Sequence, residues 1–543
     1  MTLTQPANLP RTARLEAGAI QQARLPIAFR DDPAYVFDRT GVHGGNSEGN
    51  VRRRKSVSRA GLGLILLGLG LALAGWAVAG SQTAGRRGAP AASAALQPAD
   101  WVIAGPIVVT MDPHRRVIHD GAVAIRRDTI VGVGSAASVE SRYQPAHRLE
   151  LRDGVLIPGL INGHTHAAMT LFRGLGDDEN LQNWLQDYIF PAEARNVTPA
   201  FVREGTRLGM VEMIESGTTT FADMYYFESD IAAVVKQAGM RAVLGETVIG
   251  FPAPDNKTPA EAFAYIHRFV AQWRGDSLIT PAIAPHAIYT VSGPDLRESA
   301  ALSRQLGVPL LIHLSETKKE VADSLREHHM TPVAYLDSLG VLAPNLTAAH
   351  CVWTDAADLR LLARHDVGCV YNPSSNLKLA DGMAPVTQWI AAGVPAGLGT
   401  DGAASNNNLD MLRQIYFAAE LQKDATMDPT AMPAEQALAL ATSDGARALH
   451  MEKEIGSIEV GKKADLAFLS LDEAHGVPLY NVYSQIVYAL EASDVKDVFV
   501  AGKPVMLDGR LTTLDVPEIL SQARAYGRRV LRSLHVATPS PGH

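Results

Sequence analysis

His164 and His166 are separated by one residue, the spacing at which side chains of a β-strand point to the same side. Further along come His286, His313 with Glu316 three positions later, His350 and Asp401, each at the end of a short apolar run. His164, His166, His313 and Asp401 offer three neutral imidazoles and one carboxylate. That set suits Zn²⁺ or Fe²⁺ and leaves a coordination position for water. Cys351 and Cys369 are the only thiols, too few for a cysteine zinc site or a disulfide framework. A metal in this chain must therefore be held by His and carboxylate.

Residues so far apart in the chain meet only if a fold gathers the ends of their strands. Candidate strands cover 156–163, 218–223, 241–246, 279–285, 309–314, 346–350, 367–371 and 394–400, with helix-sized segments between them. Eight such alternations predict an α/β fold, a (β/α)8 TIM-like barrel over 159–452 whose active residues sit on the carboxyl rim. An open doubly wound sheet is disfavoured because no G-x-G-x-x-G opens a helix after the first strand. On the amino side, 101–112, 121–134 and 147–159 read as a small antiparallel sheet, and β-rich sequence returns at 464–471 and 495–511. The simplest arrangement is one small β-sandwich domain built from both flanks, 99–158 and 453–512, followed by a C-terminal helix and tail, 513–543.

The first hundred residues follow different rules. Residues 1–59 read as a disordered arm ending in Arg52, Arg53, Arg54, Lys55 and Arg59. No charge occurs between Arg59 and Arg86, and the hydrophobic helix expected at 60–80 is long enough to be a transmembrane or signal segment. It predicts a membrane-anchored or exported protein, and 81–98 reads as a linker. Across the 543 residues, 47% are hydrophobic and 20% charged, the composition of a globular chain. With 49 basic against 57 acidic residues, the net charge of −8 leaves no broad basic field for a nucleic-acid polymer.

Five stretches carry a family resemblance: GLINGHTHAAMTLFRG (159–174), HLSE (313–316), NPSSN (372–376), LGTDGAASNN (398–407) and GSIEVGKKADLAFL (456–469). In this order they resemble the amidohydrolase superfamily, closest to its branch of 5-methylthioadenosine/S-adenosylhomocysteine deaminases, related to the triazine chlorohydrolases. The resemblance covers roughly 100–510 and implies a mononuclear metal barrel, one divalent ion with Zn²⁺ preferred and Fe²⁺ allowed, and a homo-oligomer. It also makes the cytoplasm the alternative location.

The reaction so implied is hydrolytic deamination of an aminopurine nucleoside, in which hydroxide attacks the amino-bearing ring carbon and ammonia leaves. A bound Zn²⁺ lowers the pKa of its water to about 7 and so supplies the hydroxide. Asp401 is expected as ligand and base, Glu316 as the acid that contacts and protonates the ring nitrogen, and His350 as a hydrogen-bonding partner of the attacking water. The resemblance places Glu193 on the ribose hydroxyls and His286 on the nucleoside side of the pocket. Trp184 is expected to wall the pocket, Ser405 to lie by the metal mouth, and NPSSN to shape a loop. The alternative is a deaminase or chlorohydrolase of another heterocycle, such as guanine or a triazine. A catalytically silent, membrane-tethered binding protein is disfavoured because every ligand and the acid are retained. The G-x-x-x-x-G-K at 456–462 is set aside as a phosphate loop because Lys463 replaces the Ser/Thr that would hold Mg²⁺.

Overall fold

The structure is a computed structural model that describes residues 96–535. The expected arm, the apolar segment 60–80 and the linker up to residue 95 lie outside the described residues. Among the described residues no helix is long and apolar enough to cross a membrane, and nothing there supports a membrane partner.

Five strands come first: β1 (Gln97–Val109), β2 (Val117–Arg126), β3 (Thr129–Ser135), β4 (Tyr143–Glu150) and β5 (Gly154–Pro158). The next eight are β6 (Leu160–Thr165), β7 (Thr218–Tyr225), β8 (Arg241–Val248), β9 (Ile279–Pro285), β10 (Leu310–Leu314), β11 (Leu346–His350), β12 (Gly368–Tyr371) and β13 (Ala396–Leu398). Last are β14 (Leu466–Ser470), β15 (Val495–Val500), β16 (Lys503–Leu507) and β17 (Arg510–Leu511).

Strands β6 to β13 form one parallel sheet in chain order, with helices in the connections. Residues of β7 and β8 are buried along their whole length, as strands covered on both faces must be. The connecting helices begin at side chains that accept a first-turn N–H: Thr198, Thr258, Ser292 and Asp410. The sheet comes round on itself. Between β6 and β13 the Asp401 N–H donates to the His164 carbonyl at 2.9 Å, and the Thr400 N–H donates to Asn162 Oδ1 at 3.0 Å. The result is a nearly closed eight-strand parallel barrel.

The flanking segments differ from expectation in two ways. The first barrel strand expected at 156–163 is two strands: β5 pairs antiparallel with β14 in the flanking sheet, and β6 opens the barrel. The chain changes sheets at Gly159, where a Cβ would stand 2.2 Å from the Thr219 side chain. The flanks also form one hydrogen-bonded nine-stranded sheet rather than two, with β4 and β5 parallel to β1 instead of antiparallel. This sheet curls over its own core: Ile103, Val123 and Leu156 pack with Leu466 and Phe499, and the Trp101 and Phe499 rings meet edge-on at 5.4 Å. A buried Arg241–Asp465 ion pair, Nε to Oδ2 at 2.7 Å, ties the start of β8 to the chain entering β14. The C-terminal helix Val516–His535 packs on the helix Pro199–Glu215, with Tyr526 against Phe201 at 5.7 Å.

Candidate metal and catalytic site

The carboxyl rim of the barrel gathers the polar residues. His164 lies in β6, His313 in β10 and His350 at the end of β11, while His166, His286, Glu316 and Asp401 follow β6, β9, β10 and β13. Ligand atoms of His164, His166 and His313 lie within 4.8 Å of one another, as do those of His164, His350 and Asp401. Asp401 Oδ1 is 3.3 Å from His164 Nε2 and 3.2 Å from His166 Nε2, and the Nε2 atoms of His166 and His313 are 3.3 Å apart.

The backbone decides which nitrogens face this centre. His166 Nδ1 lies 2.6 Å from the Met224 carbonyl and His313 Nδ1 lies 2.8 Å from the His286 carbonyl. A carbonyl only accepts, so both Nδ1 atoms carry the proton and both Nε2 lone pairs point inward. Lone pairs facing each other beside a carboxylate oxygen repel unless a metal ion or a proton lies between them. His164 Nε2 is buried and makes no hydrogen bond, an orphan that a metal would satisfy. Three imidazole nitrogens and one carboxylate oxygen therefore fit one divalent ion.

Asp401 is fixed from behind: Ser375 and Ser405 hydroxyls donate to its Oδ2 at 2.7 and 2.8 Å. Ser405, expected at the mouth, is thus turned to the aspartate and is not a wall of the cavity. NPSSN does more than shape a loop. Besides Ser375, it brings the Asn376 and Asn372 amides to 3.0 and 3.3 Å from His350 Nδ1. Ser315, His350 and Asp401 adopt left-handed backbone with φ of 51°, 75° and 61°. Each such residue costs about 1–3 kcal/mol, strain concentrated where side chains must be aimed.

The electrostatics divide the carboxyl groups. Burial opposes ionisation of Asp401, but the imidazoles of His164 and His166 beside it overcome that and hold its pKa well below the usual range. Burial also disfavours the His166 cation, yet Asp401 raises that imidazole to about 9 when no metal competes. Glu316 goes the other way: burial, then the charges of Asp381 and Asp401, push its pKa well up. Its Oε1 lies 3.5 Å from His350 Nδ1. Burial lowers His350 to about 3, so that imidazole is neutral.

Above the cluster a pocket opens between the rim residues, with both polar and apolar walls. His166, Trp184, Glu193, His286, Glu316 and Asp401 are among its walls. Trp184 and Glu193 arrive on the π-helical turn Trp184–Ile189 and the following helix Phe190–Asn196. The Tyr226 hydroxyl donates to Glu193 Oε2 at 3.3 Å, and burial raises the Glu193 carboxyl to about 7 against hydrogen bonds from Tyr225 and Tyr226. Thr290 donates to the Ala287 carbonyl and so accepts from His286 Nδ1 at 2.8 Å. The sequence reading missed Tyr226, Ser375, Asn376 and Glu320. Glu320 is buried and accepts the Ser315 and Glu316 N–H groups at 2.9 and 2.8 Å.

A parallel barrel with this ligand set on its carboxyl rim defines a metal-dependent hydrolase. The chain belongs to the amidohydrolase family, whose model matches residues 155–505. Among its relatives, a protein of Syntrophobacter fumaroxidans named 5-methylthioadenosine/S-adenosylhomocysteine deaminase is 46% identical over 80% of this chain and 98% of its own length. A Syntrophus aciditrophicus protein named 5-methylthioadenosine/S-adenosylhomocysteine deaminase 1 is 44% identical over 81% of this chain and 99% of its own. The crystal structure of an adenosine deaminase from Xanthomonas campestris with bound zinc superposes with a TM-score of 0.79. It is 41% identical and covers 81% of this chain and all of that one.

Proposed function

We propose that this protein is a metal-dependent hydrolase that deaminates adenine nucleosides of the 5′-methylthioadenosine and S-adenosylhomocysteine type. The observation that carries the reading is a buried Glu193 in the wall of the same cavity as Glu316 and the His–Asp cluster. A carboxylate that accepts both vicinal hydroxyls of a ribose holds a nucleoside in a way a free base or a triazine cannot use.

His164, His166, His313 and Asp401 would hold the ion, and zinc is preferred because the Xanthomonas campestris relative carries it. Such an ion polarises water and makes it nucleophilic at neutral pH. Asp401 accepts a proton from the attacking water. Glu316, kept protonated by its surroundings, donates to the ring nitrogen as oxygen bonds to the amino-bearing carbon. It then recovers a proton and passes it to the amine, the carbon–nitrogen bond breaks, and ammonia leaves with a ring carbonyl behind. His350, neutral and fixed by Asn376, hydrogen-bonds the attacking oxygen. His286 and Trp184 frame the nucleoside.

Purified metal-loaded protein incubated with adenine nucleosides, free purines and an aminotriazine tests this by ammonia release. Turnover of the nucleosides, with Glu193→Gln raising KM by about tenfold or more, is the expected result. Turnover of a free base or triazine alone, indifferent to Glu193, would assign the alternative substrate class.

A further inference from the structure

The cavity above the ligand cluster does not end at Glu193. A second, solvent-open space lies against it, sharing Leu185, Phe190 and Tyr289 as walls and adding Gln182, Gln186 and Phe251. With the amino-bearing carbon at the cluster and the ribose diol at Glu193, this outer space is the room left for whatever the 5′ carbon carries.

The chemistry of that room is neutral. Among the described residues, no lysine or arginine lines either space. Three cations of the neighbouring segments are engaged elsewhere: Lys378 Nζ is 2.5 Å from Asp177, Arg173 pairs with Glu212 at 2.5 Å, and Lys257 Nζ is 2.5 Å from the Ala253 carbonyl. The segment leading into the room carries Asp177, Asp178, Glu179 and Asp187. Phe190 and Phe251 meet edge to face at 5.1 Å, a surface on which a thioether sulfur packs well. A homocysteine carboxylate placed here would meet the amides of Gln182 and Gln186 and no cation to pair with, so nothing there favours its charge over a neutral group.

We propose that the outer space is a subsite for an uncharged 5′ substituent, so that this chain selects 5′-methylthioadenosine and adenosine over zwitterionic S-adenosylhomocysteine. The inference rests on the nucleoside reading above. The test compares kcat/KM for 5′-methylthioadenosine, S-adenosylhomocysteine and 5′-butylthioadenosine, which matches the length of homocysteine without its charges. Both neutral thioethers should exceed S-adenosylhomocysteine by at least about tenfold, and Gln186→Arg should narrow that ratio by about tenfold. Equal turnover of S-adenosylhomocysteine overturns the subsite while leaving the nucleoside reading intact. Poor turnover of the butylthio compound also overturns it, because length rather than charge would then decide. Failure of every nucleoside removes the underlying reading and the subsite with it.

Discussion

Glu316 and Asp401 are both buried carboxyl groups on one rim, and their neighbours separate their protonation. Asp401 faces two imidazoles and stays ionised, whereas Glu316 faces carboxylates and keeps its proton. Replacing the acid while leaving the ligands intact should therefore disable chemistry without emptying the site. Glu316→Gln is expected to lower kcat by about 10²–10⁴-fold with unchanged metal content, read by ammonia-release kinetics beside metal analysis. Glu193 supplies a pH signature. Burial raises its pKa to about 7, so the ionised form that accepts ribose hydroxyls predominates only above that pH. kcat/KM for a nucleoside should climb between about pH 6 and 8, and Glu193→Gln should make that limb shallower, leaving the rise that comes from ionisation of the attacking water. At this scale the imidazoles and Asp401 were legible because each ends a strand. Tyr226, Ser375 and Asn376 were not, since a hydroxyl or amide becomes functional only through the group it approaches in space.

Elements aim those residues, and the turn after β10 shows how. Thr317 caps the helix Lys318–His328, and from its first turn Glu320 reaches back to accept the Ser315 and Glu316 N–H groups. Ser315 sits in left-handed backbone, and its carbonyl accepts from the Trp353 N–H at 2.9 Å. The carboxylate thus holds a strained turn in the shape that presents Glu316 to the cavity. Glu320→Ala would leave two buried N–H groups unsatisfied and let the acid drift. The expected result is a 10- to 100-fold fall in kcat, with KM changed much less and metal content preserved, measured by steady-state kinetics. Neither the Thr317 cap nor the grip of Glu320 on the preceding turn entered the sequence reading, because the N–H groups a carboxylate accepts from are fixed only by the shape of the folded turn. The eight barrel strands were readable from short apolar runs between helix-sized segments. The break at Gly159 was not, because an unbroken apolar run gives no sign that the chain changes sheets.

The closure of the barrel is a property of the whole molecule, and the candidate metal site lies across it. Strands β6 and β13 begin and end the parallel sheet without pairing to each other, and the seam between them is joined by Asn162 with Thr400 and by His164 with Asp401. One ion bound by His164 and His166 on one side of the seam and Asp401 on the other would clamp the first strand to the last. His313, from β10, would add a brace across the mouth. Removing the ion leaves inward-facing lone pairs and a carboxylate with only water or protons to separate them. Chelation should then lower the stability of the entire barrel, not just abolish activity. At a free metal concentration of 100 times Kd the linkage amounts to about 2.7 kcal/mol. Calorimetric or denaturant unfolding with and without chelator should show the loss, and adding back zinc should restore it. Asp401→Ala, which removes one side of the clamp and leaves three imidazoles, should shift its midpoint with zinc much less than the unaltered protein does. A midpoint indifferent to chelation in the unaltered protein would mean that the seam is held by its hydrogen bonds alone.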